Sequence, residues 1–543
     1  MSPTTPTPSS LLADALEFFL DEAMAAHARG HQVEHDLWLK AASRVVPAEA
    51  ALDTFVTDIR QHGSAIDAKR IAVGVARLYP DSAVAHFHAG LASQLRNDLE
   101  PAIAAYRRAL TIDPDIYSLR NNLAAALLEI DSRSDEALEL LNAACATHPG
   151  DANAWVNLGR ARMARFDLRG ALAARDHALK ISPHDPVVLT NHAQFLLEQQ
   201  DWDNAQAYRA EAFRLSPGTP SYAFNLSTIH LLRGNFAEGW PLHETRWAGS
   251  GELAGKRPVL PGPLWQGEPL AGKTLLLWGE QGMGDLLQFC RYVPMLADYV
   301  HKEGGRLAWN SFPQMGDLLG RTLARYVDDF SLGGGVEHLP AFDYEIPLLS
   351  LPLVFGTREE TIPRNVPYLE PDTTACAAWR ARLSGERRLK VGLTWTGSRT
   401  HKRNPFRRVG LERYVESFRD IQNVAFYSLQ PDAGNEVAAA RSAGFDIADY
   451  TAEWRTFDDT AAFVGALDLV ITVCTSVAHL CGAIGQRTWV LLDANPHWVW
   501  MLDRTDSPWY PTATLYRQRQ FMQWEPVLDK VKNDLIALAA SRA

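Results

Sequence analysis

The stretch ANAWVNLGRARMARFDLRGALAARDHALKISP, residues 152–183, is one unit of a repeat that decides the fold of the first half of the chain. Its closing proline belongs to a series with gaps of 34, 35, 34 and 34 residues: Pro80, Pro114, Pro149, Pro183 and Pro217. Alanines recur twelve residues before each proline, at Ala68, Ala102, Ala137, Ala171 and Ala205. Because helices that pack closely need small side chains where they cross, the series predicts stacked helix pairs.

A period of about 34 residues is the signature of the tetratricopeptide repeat. Trp155, Leu158 and Gly159 match the W-x2-L-G opening of that repeat. Such arrays are solenoids of helix pairs whose concave face holds a partner. An irregular helical bundle is the alternative, and it is disfavoured because the four gaps agree within one residue. We therefore predict a tetratricopeptide (TPR) array over residues 82–245 and a helical capping region over residues 1–81.

The composition limits the partners and the compartment. A net charge of −11 disfavours nucleic acid as a partner, because binding it needs a basic surface. The five cysteines lack CxxC or metal-ligand spacing, which suits a reducing compartment. Residues 1–10 hold no basic residue, and no apolar run reaches the ~20 residues that span a bilayer. We therefore expect a cytoplasmic protein without a signal peptide, a membrane partner or a bound metal.

The pattern changes at residues 246–272, where a stretch rich in glycine and proline predicts a linker. Beyond it, short apolar strands alternate with helical stretches, which is typical of parallel sheets covered by helices. The predicted strands are residues 274–278, 306–309, 391–395, 424–429, 469–473 and 488–492. We predict two Rossmann-like units, residues 273–372 and 387–511, and a C-terminal segment, residues 512–543, that contains a helix.

The first motif is the glycine-rich loop WGEQGMGD, residues 278–285, which joins a predicted strand to a helix predicted over residues 285–299. Glycine lets a ligand approach the backbone, and a helix N-terminus attracts anions. Asp285 has a second explanation, because the helix dipole favours a carboxylate in the first turn even without a function. Taken alone, the motif leaves both explanations open.

The second motif is CTSVAHLCGAIG, residues 474–485, directly after an apolar strand. Thr475 and Ser476 are good N-cap residues, and their hydroxyls and the free amides of the first turn can hold a phosphate. A plain capped helix with a buried His479 is the alternative.

The third motif is a local excess of positive charge, since residues 380–408 hold ten basic residues against one acid, Glu386. In an acidic protein such a patch draws an anionic ligand, although part of it can equally be a solvated face. The predicted nucleotide-binding residues are Thr396, Gly397, Lys402, Arg403, Arg407, Arg408, Gln430, Thr475, Ser476 and His479. Aromatic residues at 497–511 can stack on a base or pack in the core.

These motifs together resemble a known family. The array is followed by GWPLHETRW (239–247), LLLWGEQGMGDLLQFCRYVP (275–294), VGLTWTGS (391–398), LDLVITVCTSVAHLCGAIG (467–485) and DRTDSPWYP (503–511). In order and spacing they look like the bacterial tetratricopeptide glycosyltransferases. These are GT-B enzymes similar to lipopolysaccharide heptosyltransferases and, more distantly, to O-GlcNAc transferases. The resemblance implies an α + α/β chain, a TPR helical solenoid followed by a GT-B part of two Rossmann-like units.

The resemblance also implies roles for individual residues. Asp285 matches the heptosyltransferase aspartate that acts as the base, and Glu280 is the reserve candidate on the same loop. The residues implied on the acceptor side of the cleft are Gln281, Gly282 and Gly284. Those that match the loop meeting the donor phosphate are Thr475, Ser476 and His479.

Three departures from the family pattern lie on the implied donor side. Family members usually have Asp where this chain has Cys474, and Asp and Arg where it has His497 and Val499. The loop after TWTGS usually has Asn-Asp and Arg-Ser, where this chain has Asn404-Pro405 and Arg408-Val409. These differences imply either an altered donor or a site that has lost activity.

The resemblance implies an inverting, metal-independent transferase that moves a sugar from a nucleotide donor, with no further cofactor, to Ser or Thr of a protein held by the array. Some family members modify flagellin with a nonulosonic acid. We therefore expect a CMP-linked donor first, a UDP-linked donor second, and a flagellin-like acceptor. A TPR adaptor with a degenerate transferase domain is the alternative from another class. A lipopolysaccharide glycosyltransferase is a third reading, which an array suited to polypeptides disfavours.

Overall fold

The computed structural model describes residues 7–280, 282–332 and 339–541. The chain divides into two compact units, Met1–Phe195 and Leu196–Ala543, and the division falls inside the helix Pro186–Glu198. Among the described residues, no helix is both long enough and apolar enough to cross a membrane.

The first unit consists of helix pairs, as the repeat predicts. Its helices are α1 Pro8–Ala28, α2 Gln32–Val45, α3 Leu52–His62, α4 Ala65–Leu78, α5 Ala83–Gln94, α6 Leu99–Ile112, α7 Leu119–Ile130, α8 Asp135–Thr147, α9 Ala152–Ala164, α10 Leu168–Ile181 and α11 Pro186–Glu198. Each of α4, α6, α8 and α10 ends two residues before one of the repeating prolines. Proline cannot continue a helix because it lacks the backbone donor, so the series marks the turns between repeats.

Small residues lie where the paired helices touch. The repeating Ala68, Ala102, Ala137 and Ala171 are all buried. A Cβ atom on Gly90 of α5 would come within 2.6 Å of the Tyr106 ring on α6, so this contact depends on glycine. The predicted TPR-like helical region is therefore confirmed.

The second unit opens with further helices, α12 Trp202–Leu215, α13 Pro220–Leu232, α14 Phe236–His243 and the short α15 Arg246–Gly249. These helices pack on the rest of that unit. The Trp240 indole donates a 2.9 Å hydrogen bond to the carbonyl of Thr357, and its ring centre lies 5.4 Å from that of Trp498. The segment predicted as one array, residues 82–245, thus belongs partly to each unit.

Two parallel sheets form the remainder of the second unit. The first has the strand order β3-β2-β1-β4, with β1 Thr274–Trp278, β2 Arg306–Asn310, β3 Asp329–Ser331 and β4 Tyr344–Pro347. The second has the order β10-β9-β8-β5-β6-β7, with β5 Leu389–Thr394, β6 Val424–Ser428, β7 Ile447–Asp449, β8 Leu469–Val473, β9 Thr488–Leu492 and β10 Ala513–Arg517. The helices between and after the strands are α16 Met283–Phe289, α17 Val293–Lys302, α18 Leu318–Leu323, α19 Leu351–Val354, α20 Thr373–Arg382, α21 Asn404–Arg407, α22 Leu411–Phe418, α23 Gly434–Ser442, α24 Phe457–Val464, α25 Ser476–Ala483 and α26 Glu525–Ala540. The predicted parallel α/β region is confirmed.

The central strands agree with the sequence pattern better than the others. The pattern predicts β1, β8 and β9 at their observed bounds and omits β3, β4, β7 and β10. The helix predicted over residues 285–299 is in fact α16 and α17, with the 3-10 turn Cys290–Tyr292 between them. Pro294, in the first turn of α17, has no backbone N–H to donate to the Cys290 carbonyl, so the helical hydrogen bonds cannot continue unbroken from α16 into α17.

Each sheet has a point at which the direction of winding reverses. In the first sheet the chain runs outward from β1 to β3 and returns as β4 on the other side of β1. In the second it runs outward from β5 to β7 and returns as β8 on the other side of β5. In open sheets of this kind, ligands bind in the crevice at the carboxyl ends of the strands next to the reversal. The loops after β1, β5 and β8 therefore define the candidate site.

Candidate active site

The loop after β1 is held by a buried ion pair. Glu280 accepts hydrogen bonds of 2.8 and 2.9 Å from the Arg246 guanidinium and one of 2.7 Å from the backbone N–H of Leu349. Arg246 also donates to Glu244 and to the Ser350 hydroxyl. A carboxylate engaged in this way fixes the start of the glycine loop, and its contacts favour an anchoring role over that of a proton acceptor.

Asp285 lies in the first turn of α16, three residues beyond the N-cap Gly282. It keeps part of its surface open to solvent although protein atoms crowd it on most sides. Burial, reinforced by the charge of Glu280, raises the pKa of this carboxyl to about 7. A hydrogen bond from the Gly282 backbone acts in the other direction and lowers the pKa, but its effect is smaller. A carboxyl that titrates near neutral pH is suited to exchanging a proton with a substrate. Gln281, also assigned to this loop, lies outside the described residues.

The N-terminal turns of α16 and α25 come close together, although these helices follow strands of different sheets. A Cβ atom on Gly284 would lie 3.0 Å from Cδ2 of His479 and 3.6 Å from Cα of Ser476. Only glycine fits here without displacing the histidine ring. The fold therefore brings Asp285 and its neighbour Gly284 beside Ser476 and His479, residues that the sequence places almost two hundred positions apart.

His479 is buried in this contact. Its Nδ1 shares a 2.8 Å hydrogen bond with the Tyr510 hydroxyl, and its Nε2 lies on the side of Gly284. Burial, followed by the nearby His497 and Arg291, lowers the pKa of His479 to about 3. The imidazole is therefore neutral at physiological pH, and its observed contact is a hydrogen bond rather than an ion pair.

The phosphate-binding loop predicted after β8 is a capped helix N-terminus. Thr475 is the N-cap of α25, and its hydroxyl accepts a 3.2 Å hydrogen bond from the backbone N–H of Val477. Ser476, the first residue of the helix, is half-buried. The first-turn amides of α25 thus face the region of Gly284, where the helix dipole favours a negative charge.

The four basic residues assigned to the loop after β5 have different surroundings. Arg403 is anchored by Glu198 and by Asp493, to which Nη2 donates a 2.7 Å hydrogen bond. Arg408 is exposed and lies 3.5 Å from Glu412, and Lys402 is exposed. The contacts of Arg403 are those of a residue that holds the loop in place.

Arg407 differs from these neighbours. Its guanidinium lies on Gly397, since a Cβ atom there would come within 2.6 Å of Nη2. Its Nε is buried without a hydrogen-bond partner in the described part of the chain. Burial, followed by the charge of Arg407, lowers the pKa of the half-buried His401. A half-buried cation that has no carboxylate partner among the described residues and lies beside a sheet reversal is suited to binding an anion.

Thr396 and Gln430 join Arg407 and Gly397 at this end of the second sheet. The Gln430 side-chain oxygen accepts a 3.3 Å hydrogen bond from the Thr396 backbone. Asn404 spans the loop, because Oδ1 accepts from the Gly397 backbone at 2.9 Å and Nδ2 donates to the Thr396 hydroxyl at 3.0 Å. The neighbouring Pro405 leaves this network intact.

The other departures from the family pattern are mainly apolar in character. Cys474 is buried, and its sulfur accepts a 3.1 Å hydrogen bond from the Trp500 indole. Val499 is fully buried in the core, whereas His497 is exposed. Of the aromatic residues after it, Trp498, Trp500, Trp509 and Tyr510 are all buried, so the core explanation applies to them.

Sequence reasoning missed three residues that position the site: Arg246, Asn404 and Tyr510. Arg246 lies in GWPLHETRW and Tyr510 in DRTDSPWYP, and both are buried polar side chains. Their partners are distant in sequence, so only their place inside those motifs could have signalled them. Among the described residues, no group of three or more His, Cys, Asp or Glu side chains is arranged to hold a metal ion.

Fold and site together define a TPR-containing protein with a parallel-sheet α/β region, whose candidate site lies where loops of two sheets meet. The chain belongs to the family of Protein FlbA of Caulobacter vibrioides. The two are 30% identical over 458 residues, which cover 79% of this chain and 74% of FlbA. No family model matches the chain.

Several solved structures are similar to part of the chain. MamA from Desulfovibrio magneticus RS-1 is 21% identical, with a TM-score of 0.27, over 32% of this chain and 97% of MamA. Pseudomonas aeruginosa pilF is 19% identical, with a TM-score of 0.32, over 38% of this chain and 95% of pilF. A thermophilic TPR protein of Thermus thermophilus is 19% identical, with a TM-score of 0.28, over 30% of this chain and 90% of that protein.

Proposed function

We propose that this protein is a GT-B glycosyltransferase that moves a sugar from a nucleotide donor to a Ser or Thr hydroxyl of a protein acceptor. The observation that carries the proposal is the position of Asp285. Its carboxyl, with a pKa of about 7, lies in a turn that packs against the N-terminus of α25. This position supports a proton acceptor next to a site for a leaving anion.

In the proposed reaction, Asp285 takes the proton of the acceptor hydroxyl while that oxygen attacks the anomeric carbon of the sugar. The bond from this carbon to the phosphate oxygen breaks, and the nucleotide leaves with the electron pair. Arg407 and the first-turn amides of α25 stabilise the charge that develops on the phosphate, so the chain's own groups supply the positive potential. Attack opposite the leaving group inverts the anomeric centre, and we propose that the step is metal-independent.

The donor proposed first is a CMP-linked nonulosonic acid, with a UDP-sugar second. The TPR array is proposed to hold a flagellin-like acceptor, because concave repeat surfaces bind extended polypeptides. A cytoplasmic reaction is consistent with five free, buried cysteines.

The first experiment is a thermal shift of the full chain with CMP, UDP, GDP and ADP. We expect one nucleotide to raise the melting temperature, because a ligand that binds only the folded state stabilises it. Mass spectrometry of flagellin incubated with the protein and the matching nucleotide sugar then tests transfer, with Asp285→Asn as the inactive control. If no nucleotide raises the melting temperature and flagellin stays unmodified, the proposal is wrong.

The second candidate function is an adaptor with a degenerate transferase domain. Cys474 and Val499 favour it, because buried, weakly polar side chains stand where the family usually has charged ones. An adaptor binds its client with the same affinity whether or not nucleotide is present, and it leaves the client's mass unchanged.

A further inference from the structure

A polar groove in the first unit has the properties of a ligand site. Its volume is about 340 Å³, and its lining includes Asn121, Asn122, Asn153, Asn157, Arg160 and Asn191. Several of these residues occupy equivalent positions in successive repeats: Asn157 and Asn191 are 34 residues apart, as are the prolines that close the same repeats.

Beneath the groove lies a fully buried arginine, Arg175 of α10. Its Nη2 donates a 3.4 Å hydrogen bond to Oδ1 of Asn191, and its guanidinium lies 4.6 Å from the centre of the Phe195 ring. Its Nε and Nη1 have no hydrogen-bond partner among the described residues. No carboxylate in the described part of the chain pairs with it, so the charge is uncompensated. An uncompensated buried cation is costly, and few proteins retain one without a role.

The residue at the position of Arg175 is uncharged in earlier repeats. Tyr106 packs on Gly90 in the first repeat, and Arg175 packs on Gly159 in the third in the same way. The corresponding residue of the second repeat is the buried Leu141. The repeat architecture therefore does not require a charge at this position. Arg209, the equivalent residue of the fourth repeat, is also buried, but it donates hydrogen bonds of 2.7 and 2.8 Å to the Asn225 carbonyl and the Thr228 hydroxyl. Arg175 has no comparable partners for Nε and Nη1 among the described residues, so it calls for another explanation.

Cations fix the orientation of the groove amides. A guanidinium can only donate hydrogen bonds, so the oxygen of Asn191 must face Arg175, and the oxygen of Asn157 must face Arg160, which donates at 3.3 Å. Asn157 donates in turn to the oxygen of Asn121 at 2.8 Å. The amide nitrogens also donate inside the protein, since Asn191 donates to the Val187 carbonyl at 2.8 Å. Each amide NH2 group has two hydrogens, so one N–H of each amide is left for a ligand in the groove. Glu129 neutralises Arg160 at the edge of the groove.

We propose that this groove binds a carboxylate of an extended, acidic segment of a partner polypeptide. Amide N–H groups supply hydrogen-bond donors to the carboxylate, and Arg175 supplies a positive potential from below. The inference rests on the proposed function only in identifying the partner with the acceptor protein.

The test measures fluorescence anisotropy of a labelled peptide of Ser-Asp-Gly repeats binding to the full chain without any nucleotide sugar. The matched probe is the same peptide with Asn in place of Asp, which keeps the shape and removes the charge. We expect the acidic peptide to bind at least about tenfold more tightly at low salt and to lose this advantage as salt is added.

Arg175→Leu is the decisive variant, because leucine occupies the equivalent position of the second repeat. It should reduce the affinity for the acidic peptide about tenfold, leave the Asn peptide unaffected, and keep or raise the melting temperature. Arg169→Leu removes an exposed charge from the same helix and should change neither affinity. Asn157→Ala should also weaken the binding of the acidic peptide.

Equal binding of the two peptides, or no binding of either, overturns the inference, as does full affinity in Arg175→Leu. Because no sugar donor is present, these results do not depend on transfer. If the protein prefers the acidic peptide but transfers no sugar, only the proposed function is contradicted. If it transfers sugar but binds the two peptides equally, only the inference about the groove is contradicted.

Discussion

At the scale of single residues, Asp285 connects stability to catalysis. Its folded-state pKa of about 7 lies above the unfolded value of about 3.9, so the folded protein holds this proton more tightly. The contribution of this group to stability is fully present below about pH 4 and is lost as the pH rises to about 7. We expect Asp285→Asn, which cannot ionise, to melt at a higher temperature than the natural protein at about pH 8. The two melting temperatures should converge near about pH 4, and a constant difference across that range would contradict the raised pKa.

The same residue makes a kinetic prediction. If Asp285 is the general base, the rate of transfer should rise with pH up to about 7 and then level off, because only the ionised carboxylate accepts the proton. Asp285→Asn should lower the rate roughly 10²-fold or more while nucleotide affinity is unchanged. Glu280→Gln should mainly lower stability, since it leaves Arg246 without its buried partner. Loss of activity in a stable Glu280→Gln variant would move the role of base to Glu280.

Substitution by alanine should affect nucleotide binding at Arg407 and the stability of the fold at Arg403. Arg407→Ala removes a cation that has no carboxylate partner among the described residues, and it should weaken nucleotide binding about tenfold or more with little change in stability. Arg403→Ala leaves Glu198 and Asp493 without their cation and should lower the free energy of unfolding by about 3 kcal/mol. Arg408→Ala is the exposed control. Isothermal titration and chemical denaturation of the three variants measure both effects, and equal nucleotide affinity in Arg407→Ala and Arg408→Ala would contradict the assignment.

At the scale of elements, the contact between α16 and α25 depends on Gly284. In Gly284→Ala the new methyl carbon would lie 3.0 Å from the His479 ring, so the two helix turns must separate by a few tenths of an ångström. Displacements of this order reduce catalysis strongly, and we expect a loss of about tenfold or more in the rate with a smaller effect on nucleotide affinity. Gly434→Ala, in the first turn of α23 with no atom near the added carbon, is the matched control. Equal rates in the two variants would show that the contact does not position the site.

The elements also show how far the sequence predicts the structure. β8 and β9 have their predicted bounds because all their residues are buried, and buried parallel strands form unbroken apolar runs. β3 and β7 are three residues long, and such short strands leave no distinct pattern. Asp285 and Thr475 could be selected from local motifs, since each lies at a strand-to-helix turn. Nothing local distinguishes Arg407 from Arg403, because the difference lies in Glu198 and Asp493, which are remote in sequence.

At the scale of the whole molecule, the repeat period does not coincide with the division into compact units. The pattern of helix pairs continues beyond Phe195, yet α12, α13 and α14 belong to the second unit with the two sheets. The side chain of Gln200 donates to the carbonyls of Ala494 and Gln518, and Glu198 holds Arg403. The last helix pairs are thus part of the structure that positions the candidate site.

This integration predicts the outcome of truncation. Residues 186–543 begin at α11 and keep these contacts, so this fragment should unfold cooperatively and bind nucleotide like the full chain.

The shorter fragment, residues 246–543, lacks Glu198 and Trp240. Loss of a buried ionic partner costs about 3–5 kcal/mol, and loss of a buried tryptophan, with 150–250 Å² of surface, adds roughly 4–6 kcal/mol. The sum is comparable to the whole stability of a typical domain, about 5–15 kcal/mol, so the shorter fragment should be unfolded or aggregated. Circular dichroism during thermal melting, with nucleotide titration, compares the two. A cooperative transition of the shorter fragment at an unchanged melting temperature would show that the sheets fold without these helices.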